Sequence, residues 1–183
     1  GQWGIIDAEK KVYSVSFRRF PFTDGKVWKG NNPAFGQLKL TAQGGHPGPQ
    51  PNVAVMRRWV APMNTTVNVS GRLEHRLDDD AQAAFDDKLT DDLRKWYDNN
   101  AWDGVTGFIV HSRAGNASGQ RFGKEIVRAD VRRGRRDLNS GDIQVQTGDT
   151  IDFIVTSKGY QAPNTLTSSC LLYTSPSPRD QLQ

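Results

Sequence analysis

The sequence has almost no cysteine, no long apolar run and little net charge, and each absence excludes a class of protein. Cys170 is the only cysteine among 183 residues, so a disulfide framework, a Cys-based zinc site and a haem-attachment motif are all excluded. No apolar run is long enough to span a membrane. The net charge of +4 gives no argument for a nucleic-acid partner. The length and the 36% hydrophobic content suit one domain with one modest core.

The lone cysteine lies in a stretch that has its own explanation. Residues 170–180 match, in order, one reading frame of a common transposase-based sequencing-library adapter. We therefore expect a single native module over residues 1–169 and a non-native, adapter-derived tail over residues 170–183, which is set aside from fold reasoning. The chain begins at Gly1 without a leader, and we expect both ends to be cut from a longer protein.

Short β-prone runs separated by Gly, Pro and Asn make up most of the module. In residues 66–73, Val67, Val69 and Leu73 alternate with polar residues and are candidate core positions. The other runs are residues 12–17, 36–42, 53–60, 105–112, 126–131, 142–146 and 150–156. Many short strands with frequent turn signals, and no βαβ alternation, predict an all-β antiparallel sandwich or barrel.

Residues 78–100 break this pattern. Phe85, Leu89, Leu93 and Trp96 are spaced four, four and three residues apart, which places them on one face of a helix. The Asp residues at 78–80 supply an N-cap and a favourable charge for the first turn. We predict one amphipathic helix, inserted between two strands and packed on the sandwich.

Two candidate contacts for a ligand are an aromatic residue and a histidine. Trp28, beside Lys26 and Lys29, has the surroundings of a loop and is the best candidate for stacking on a sugar ring, whereas Trp59 is interpreted as core or strand-end cover. The Gly- and Pro-rich residues 44–51 predict a rigid exposed loop, with a binding loop that presents His46 as the alternative. His75 and His111 share no metal-ligand spacing with His46.

A cluster of arginines lies within residues 128–136: Arg128, Arg132, Arg133, Arg135 and Arg136. It suits an anionic polysaccharide or nucleic acid, but no aromatic residues are interleaved, which disfavours nucleic acid. Residues 78–103 carry nine Asp against three basic residues, a net charge of −6. We therefore favour an arginine cluster that faces this acidic segment or forms a solvated face. No nucleophile elbow, phosphate-binding loop or HExxH motif is present, so we expect no enzyme and no catalytic, cofactor or metal residues.

Several phrases in order resemble a known module: residues 28–30, 38–48, 55–62, 67–71, 103–105, 109–113 and 148–155. Together they resemble the C-terminal β-sandwich of the large planctomycete-type cytochrome c domain proteins, over roughly residues 28–169. The resemblance implies a jelly-roll-like, carbohydrate-binding-like module of a periplasmic or extracellular bacterial protein. Any haem would lie in the upstream region of the parent protein, and none is expected in this fragment.

The sequence departs from that family in two places. The helical insert replaces a short loop, and the closing strand, which typically carries a Trp, is missing where residues 164–169 run into the adapter. We therefore expect an antiparallel β-sandwich that lacks its last strand and is marginally stable or prone to aggregate.

The resulting expectation is a non-catalytic binding module for polysaccharide, without nucleic acid or a membrane span. Its candidate contacts are Trp28, His46, Arg57, Arg113, Arg132 and Arg133. The alternative is a structural or docking module that packs on its own parent protein through the arginine cluster and the acidic helix.

Overall fold

A computed structural model describes the strands and most of the turns that join them. The described residues are 2–7, 9, 10, 13, 17–23, 25–29, 38–41, 44–48, 52–77, 104–114, 123–132, 134–158 and 168–175, with only the backbone described at 22, 76, 77 and 168–175. The predicted helix over residues 78–100 lies outside this part of the chain, and so does Arg133.

In the described part of the chain, thirteen strands form two antiparallel sheets. The strands are β1 (Gln2–Ile5), β2 (Arg18–Arg19), β3 (Phe22–Thr23), β4 (Val27–Lys29), β5 (Lys39–Thr41), β6 (Gly44–His46), β7 (Val53–Val60), β8 (Thr65–Leu77), β9 (Val105–Ser112), β10 (Lys124–Val131), β11 (Gly134–Val145), β12 (Thr150–Ser157) and β13 (Ser168–Ser175). The first sheet has the order β10-β9-β12-β7-β1-β2 and the second the order β11-β8-β13-β6-β5-β4-β3. The predicted all-β antiparallel sandwich is confirmed.

Strands β6 to β13 are connected as in a jelly roll. The neighbours β6-β13-β8-β11 lie in one sheet and β7-β12-β9-β10 in the other, so most connections cross from sheet to sheet. Strands β7, β9 and β11 finish at the end of the sandwich where β8, β10 and β12 start. We call this the upper end, and the end with the β10–β11 turn the lower end.

The sandwich has two apolar layers. Between the sheets, Val55, Ile109 and Ile151 of the first sheet pack in one cluster with Leu73 and Ile143 of the second. Val67 and Val69 pack against this cluster while partly exposed, so the core positions predicted in β8 do face inward.

The outer face of the first sheet is covered as well. Met56, Phe108 and Ile154 form a second cluster with Ile6 and Tyr13 from the N-terminal segment. Because both faces of its central strands are covered, every residue of β9 is buried. This explains why the middle of β9, Phe108-Ile109-Val110, is apolar at three successive positions rather than at alternating ones.

The Gly- and Pro-rich run does not form an exposed loop at residues 44–48, so that prediction was wrong there. Strand β6 lies within it, and every residue of β6 is buried. A Cβ on Gly45 would lie 2.9 Å from Leu40 Cδ1 and 3.0 Å from the Lys39 carbonyl oxygen. The glycines therefore serve the close approach of two backbones rather than a turn.

The closing position of the jelly roll holds a strand, where the sequence predicted none. Strand β13 pairs with β8 from Ser168↔Leu77 to Ser175↔Ser70, and with β6 at Cys170↔Gly45 and Leu171↔Gly44. Residues 170–175 of the expected adapter-derived tail thus lie between β8 and β6. Among the described residues, no helix has the length and apolar character needed to cross a membrane.

Candidate binding cleft

Two adjoining clefts open at the upper end of the sandwich. The larger, about 650 Å³, lies between the start of β10 and the second half of β11. The smaller, about 340 Å³, lies between the β11–β12 turn and the start of β8. Arg113 and Gln144 line both, and we call the two together the Arg113 cleft. Both volumes fall within the ordinary range of ligand sites, about 300–1,000 Å³.

The cleft is open because β10 and β11 belong to different sheets. The two strands are joined at the lower end and are both edge strands, so the space between them at the upper end is not closed by hydrogen bonding. Polar residues line that space. In the larger cleft they are His111, Arg113, Lys124, Glu125, Ser140, Asp142 and Gln144.

A buried carboxylate fixes the backbone around Arg113. Asp149 is 1% exposed, and its Oδ2 lies 2.9 Å from His111 Nε2 and accepts the Gln146 N–H at 3.0 Å. Its Oδ1 accepts the Ala114 N–H at 2.8 Å. His111 lies two residues before Arg113 and Ala114 directly after it, so Asp149 holds the chain on both sides of the arginine and thereby the point from which its side chain projects.

The surroundings of Asp149 keep it ionised. Burial acts to raise the pKa of Asp149, but the N–H donors of Gln146 and Ala114, followed by His111, outweigh it and lower the pKa below the ordinary value of 3.8. The charge that holds the loop is therefore present at neutral pH.

The acidic groups of the cleft already have partners, whereas its cations form no ion pair with a described residue. Glu125 accepts a hydrogen bond from the Tyr13 hydroxyl, and Asp142 Oδ1 accepts one from Asn68 Nδ2 at 3.3 Å. Burial above all, and then this bond to Glu125, raises the pKa of Tyr13. Arg113 and Lys124 are exposed and form no ion pair within the part of the chain that the structure describes.

The His111–Asp149 pair does not activate the neighbouring serine. Ser112 follows His111 in β9, and successive side chains of a strand point to opposite faces. Ser112 is also 1% exposed. The described residues contain no group of three or more His, Cys, Asp or Glu side chains that could hold a metal ion.

The residues predicted from the sequence as ligand contacts do not share one surface. Trp28 lies on β4, half-buried, and packs against the core between the sheets. His46 is buried in β6 at the lower end, with Nδ1 2.7 Å from the Pro47 carbonyl oxygen. Arg57, on β7, donates to the Thr41 carbonyl, and burial lowers its pKa.

The predicted arginine contacts are also dispersed. Arg113 lines the cleft, whereas Arg132 is exposed at the lower end, where its carbonyl oxygen lies 2.7 Å from His75 Nδ1. The Arg128 guanidinium lies 5.5 Å from the Phe108 ring centroid on the outer face of the first sheet. Arg135 lies opposite Glu74 in the second sheet. The described arginines of the cluster therefore form no single patch.

Sequence reasoning missed most of the cleft. No sequence motif marks Lys124, Gln144 or Asp149, because these residues come together only where three connections of the jelly roll meet. A usable signal was the pair Gly148 and Asp149 after a strand, since a turn glycine followed by a carboxylate is typical of a hydrogen-bonded loop.

Comparisons with protein-family models, with curated proteins and with solved structures find no match to this chain.

Proposed function

We propose that the chain is a non-catalytic binding module for carbohydrate and that the Arg113 cleft is its binding site. The observation that carries this proposal is a preformed, ligand-sized cleft lined by amide, hydroxyl, carboxylate and guanidinium groups. These groups provide both donors and acceptors, which the hydroxyls of a sugar require. A site held by strands also needs little ordering when the ligand binds.

The cleft walls are held by hydrogen bonds within the protein. Gln144 Nε2 donates to Thr66 Oγ1 at 2.7 Å across β11 and β8. Asn64 Oδ1 accepts the Thr147 N–H at 2.8 Å and ties the β7–β8 hairpin to the β11–β12 turn. The two sides of the smaller cleft are thus linked to each other rather than moving independently.

The resemblance noted in the sequence supports the same class of function. It favours a carbohydrate-binding-like tail module on an extracytoplasmic, cytochrome c-type multidomain protein, in the periplasm or outside the cell. Under this proposal the module supplies attachment and the haem chemistry belongs to the upstream region of the parent protein.

Affinity electrophoresis of the full chain through gels that contain neutral or acidic polysaccharides tests the proposal. Gln144→Ala should weaken retention, because Gln144 lines both parts of the cleft. Asn52 is exposed just before β7, at the lower end and away from the cleft, so Asn52→Ala should leave retention unchanged. Absence of retention on every polysaccharide would refute carbohydrate binding.

Docking on the parent protein is the second candidate, and a different surface favours it. The β7–β8 hairpin exposes Trp59, Val60 and Met63 by 37%, 53% and 54%. Apolar side chains grouped at one tip suit a protein contact. Under this alternative, Val60→Ser with Met63→Ser would abolish binding to the parent's other domains, and glycans would not be retained.

A further inference from the structure

We infer that the Arg113 cleft recognises an acidic saccharide, whose carboxylate or sulfate group is bound by Arg113 and Lys124. This inference rests on the proposed carbohydrate-binding function and adds the chemical class of the ligand. A neutral sugar would leave Arg113 and Lys124 without an anionic group within ion-pair distance among the described residues.

The first argument is which charged groups of the cleft already have partners in the described chain. Its carboxylates are Glu125 and Asp142 in the larger part and Asp149 in the smaller part. Each already accepts a hydrogen bond from the protein, and Asp149 accepts three. The acids therefore have their hydrogen-bond partners in the folded chain, whereas no described carboxylate lies within ion-pair distance of either cation.

The positions of the two cations are the second argument. Lys124 lies opposite His111 in the β9–β10 pairing, and Arg113 lies two residues beyond His111. Neighbouring strands are about 4.8 Å apart and two residues span about 6.6 Å, so Arg113, just after β9, and Lys124 start diagonally from each other at the same end of the sheet. That separation is within the reach of two long side chains that bind one anionic group or two on successive sugar units.

The two side chains have different chemistry. The guanidinium of Arg113 binds a planar carboxylate through two parallel hydrogen bonds, whereas the ammonium of Lys124 acts as a point charge. Asp149 holds His111 and Ala114, so the Arg113 side chain extends from a defined backbone position. Arg113 should therefore contribute more to affinity than Lys124.

Dissociation constants of the full chain for alginate, a uronic polymer, and for dextran, a neutral one, test the inference. We expect binding to alginate that Arg113→Gln weakens about tenfold, as the loss of one charged hydrogen-bond pair would. Lys124→Gln should weaken it about threefold, and 0.5 M salt should weaken it in the wild type. Arg18→Gln, the same charge change on the exposed strand β2, should leave it unchanged.

The remaining outcomes separate the two proposals. Equal affinity for dextran and alginate overturns the acidic specificity but retains the proposed function, whereas no binding to any glycan overturns both. Equal losses in Arg113→Gln and Arg18→Gln would show non-specific attraction and overturn the site. If dextran sulfate binds tightly and alginate does not, the result supports anion recognition and identifies the bound anion as a sulfate ester. Tighter binding of polyglutamate than of either glycan identifies an acidic peptide and overturns the saccharide.

Discussion

Asp149 and Asp152 are buried carboxylates three residues apart, and each is compensated in a different way. Asp149 uses backbone N–H donors and His111. Asp152, which is 0% exposed, forms two 2.7 Å hydrogen bonds with Nε and Nη2 of Arg58 on the neighbouring strand. One carboxylate therefore holds loops together and the other holds two strands.

The lowered pKa of Asp149 predicts a dependence of stability on pH. A carboxyl group whose folded pKa is depressed contributes stability that is fully present above its unfolded pKa, about 4, and is lost as the pH falls through the lower folded value. Urea midpoints measured between about pH 5 and pH 2 should therefore fall less in Asp149→Asn than in the wild type. An unchanged slope in Asp149→Asn would contradict the assignment.

Breaking the Arg58–Asp152 pair should destabilise the first sheet. Asp152→Ala leaves a mostly buried guanidinium without its carboxylate and should cost about 2–4 kcal/mol in the free energy of unfolding. Replacing both residues by leucine should cost less than the sum of the two single changes, with a coupling above about 1 kcal/mol. Additive single effects in chemical denaturation would show that the pair contributes nothing of its own.

Ligand contacts at the residue scale were the least predictable part of the molecule. Trp28 was selected for the loop-like composition around it, but the pairing of β4 with β5 places it opposite Leu40 and against the core. His46 was selected for a loop that is a buried strand. Composition describes the local chain, whereas exposure depends on which strand lies alongside, and that is a property of the whole sheet.

Among the elements, strands with an apolar run could be predicted, whereas a strand that begins with charged residues was predicted only in part. The predicted runs 53–60 and 105–112 coincide with β7 and β9, whose residues are mostly buried. Only the last four residues of β11 fall in a predicted run, because the strand begins Gly-Arg-Arg-Asp and these residues are exposed at the edge of the second sheet. An edge strand with charged side chains carries little periodic signal, although it resists pairing with other molecules.

Substitutions at two glycines with positive φ test how closely the backbone packs at the turns. Gly104 has φ +84°, and a Cβ there would lie 2.5 Å from the Val131 carbonyl oxygen. Gly104→Ala should therefore cost about 2–4 kcal/mol in the free energy of unfolding. Gly25 has φ +85° with nothing within 4 Å, so Gly25→Ala should cost only about 1 kcal/mol. Equal losses would mean that strain in φ, and not the contact with Val131, decides the effect at Gly104.

At the scale of the whole molecule, the sandwich depends on the strand between β8 and β6. Eight residues of β13 pair with β8, so the backbone groups along that side of β8 are satisfied there. The adapter-derived origin expected for residues 170–175 is compatible with this pairing, because main-chain hydrogen bonds do not depend on side-chain identity. The jelly-roll order predicts a strand between β8 and β6. It does not predict which residues of the chain form that strand.

Ending the chain after Ser169 should therefore destabilise it severely. The change removes most of β13 and leaves the edges of β8 and β6 open to pairing with another copy. Size-exclusion chromatography with light scattering should show aggregates for the shortened chain and a smaller, defined species for the full chain. A shortened chain that remains monomeric, with the same urea midpoint, would show that β13 is dispensable.

Binding of ligand at the Arg113 cleft can be observed residue by residue in an NMR titration of the full chain with a uronic oligosaccharide. The amide signals of residues 111–114, 124–126 and 140–146 should shift together and saturate with one dissociation constant. Shifts confined to residues around Trp28 and His46, or to the hairpin that carries Met63, would place binding elsewhere and contradict the account.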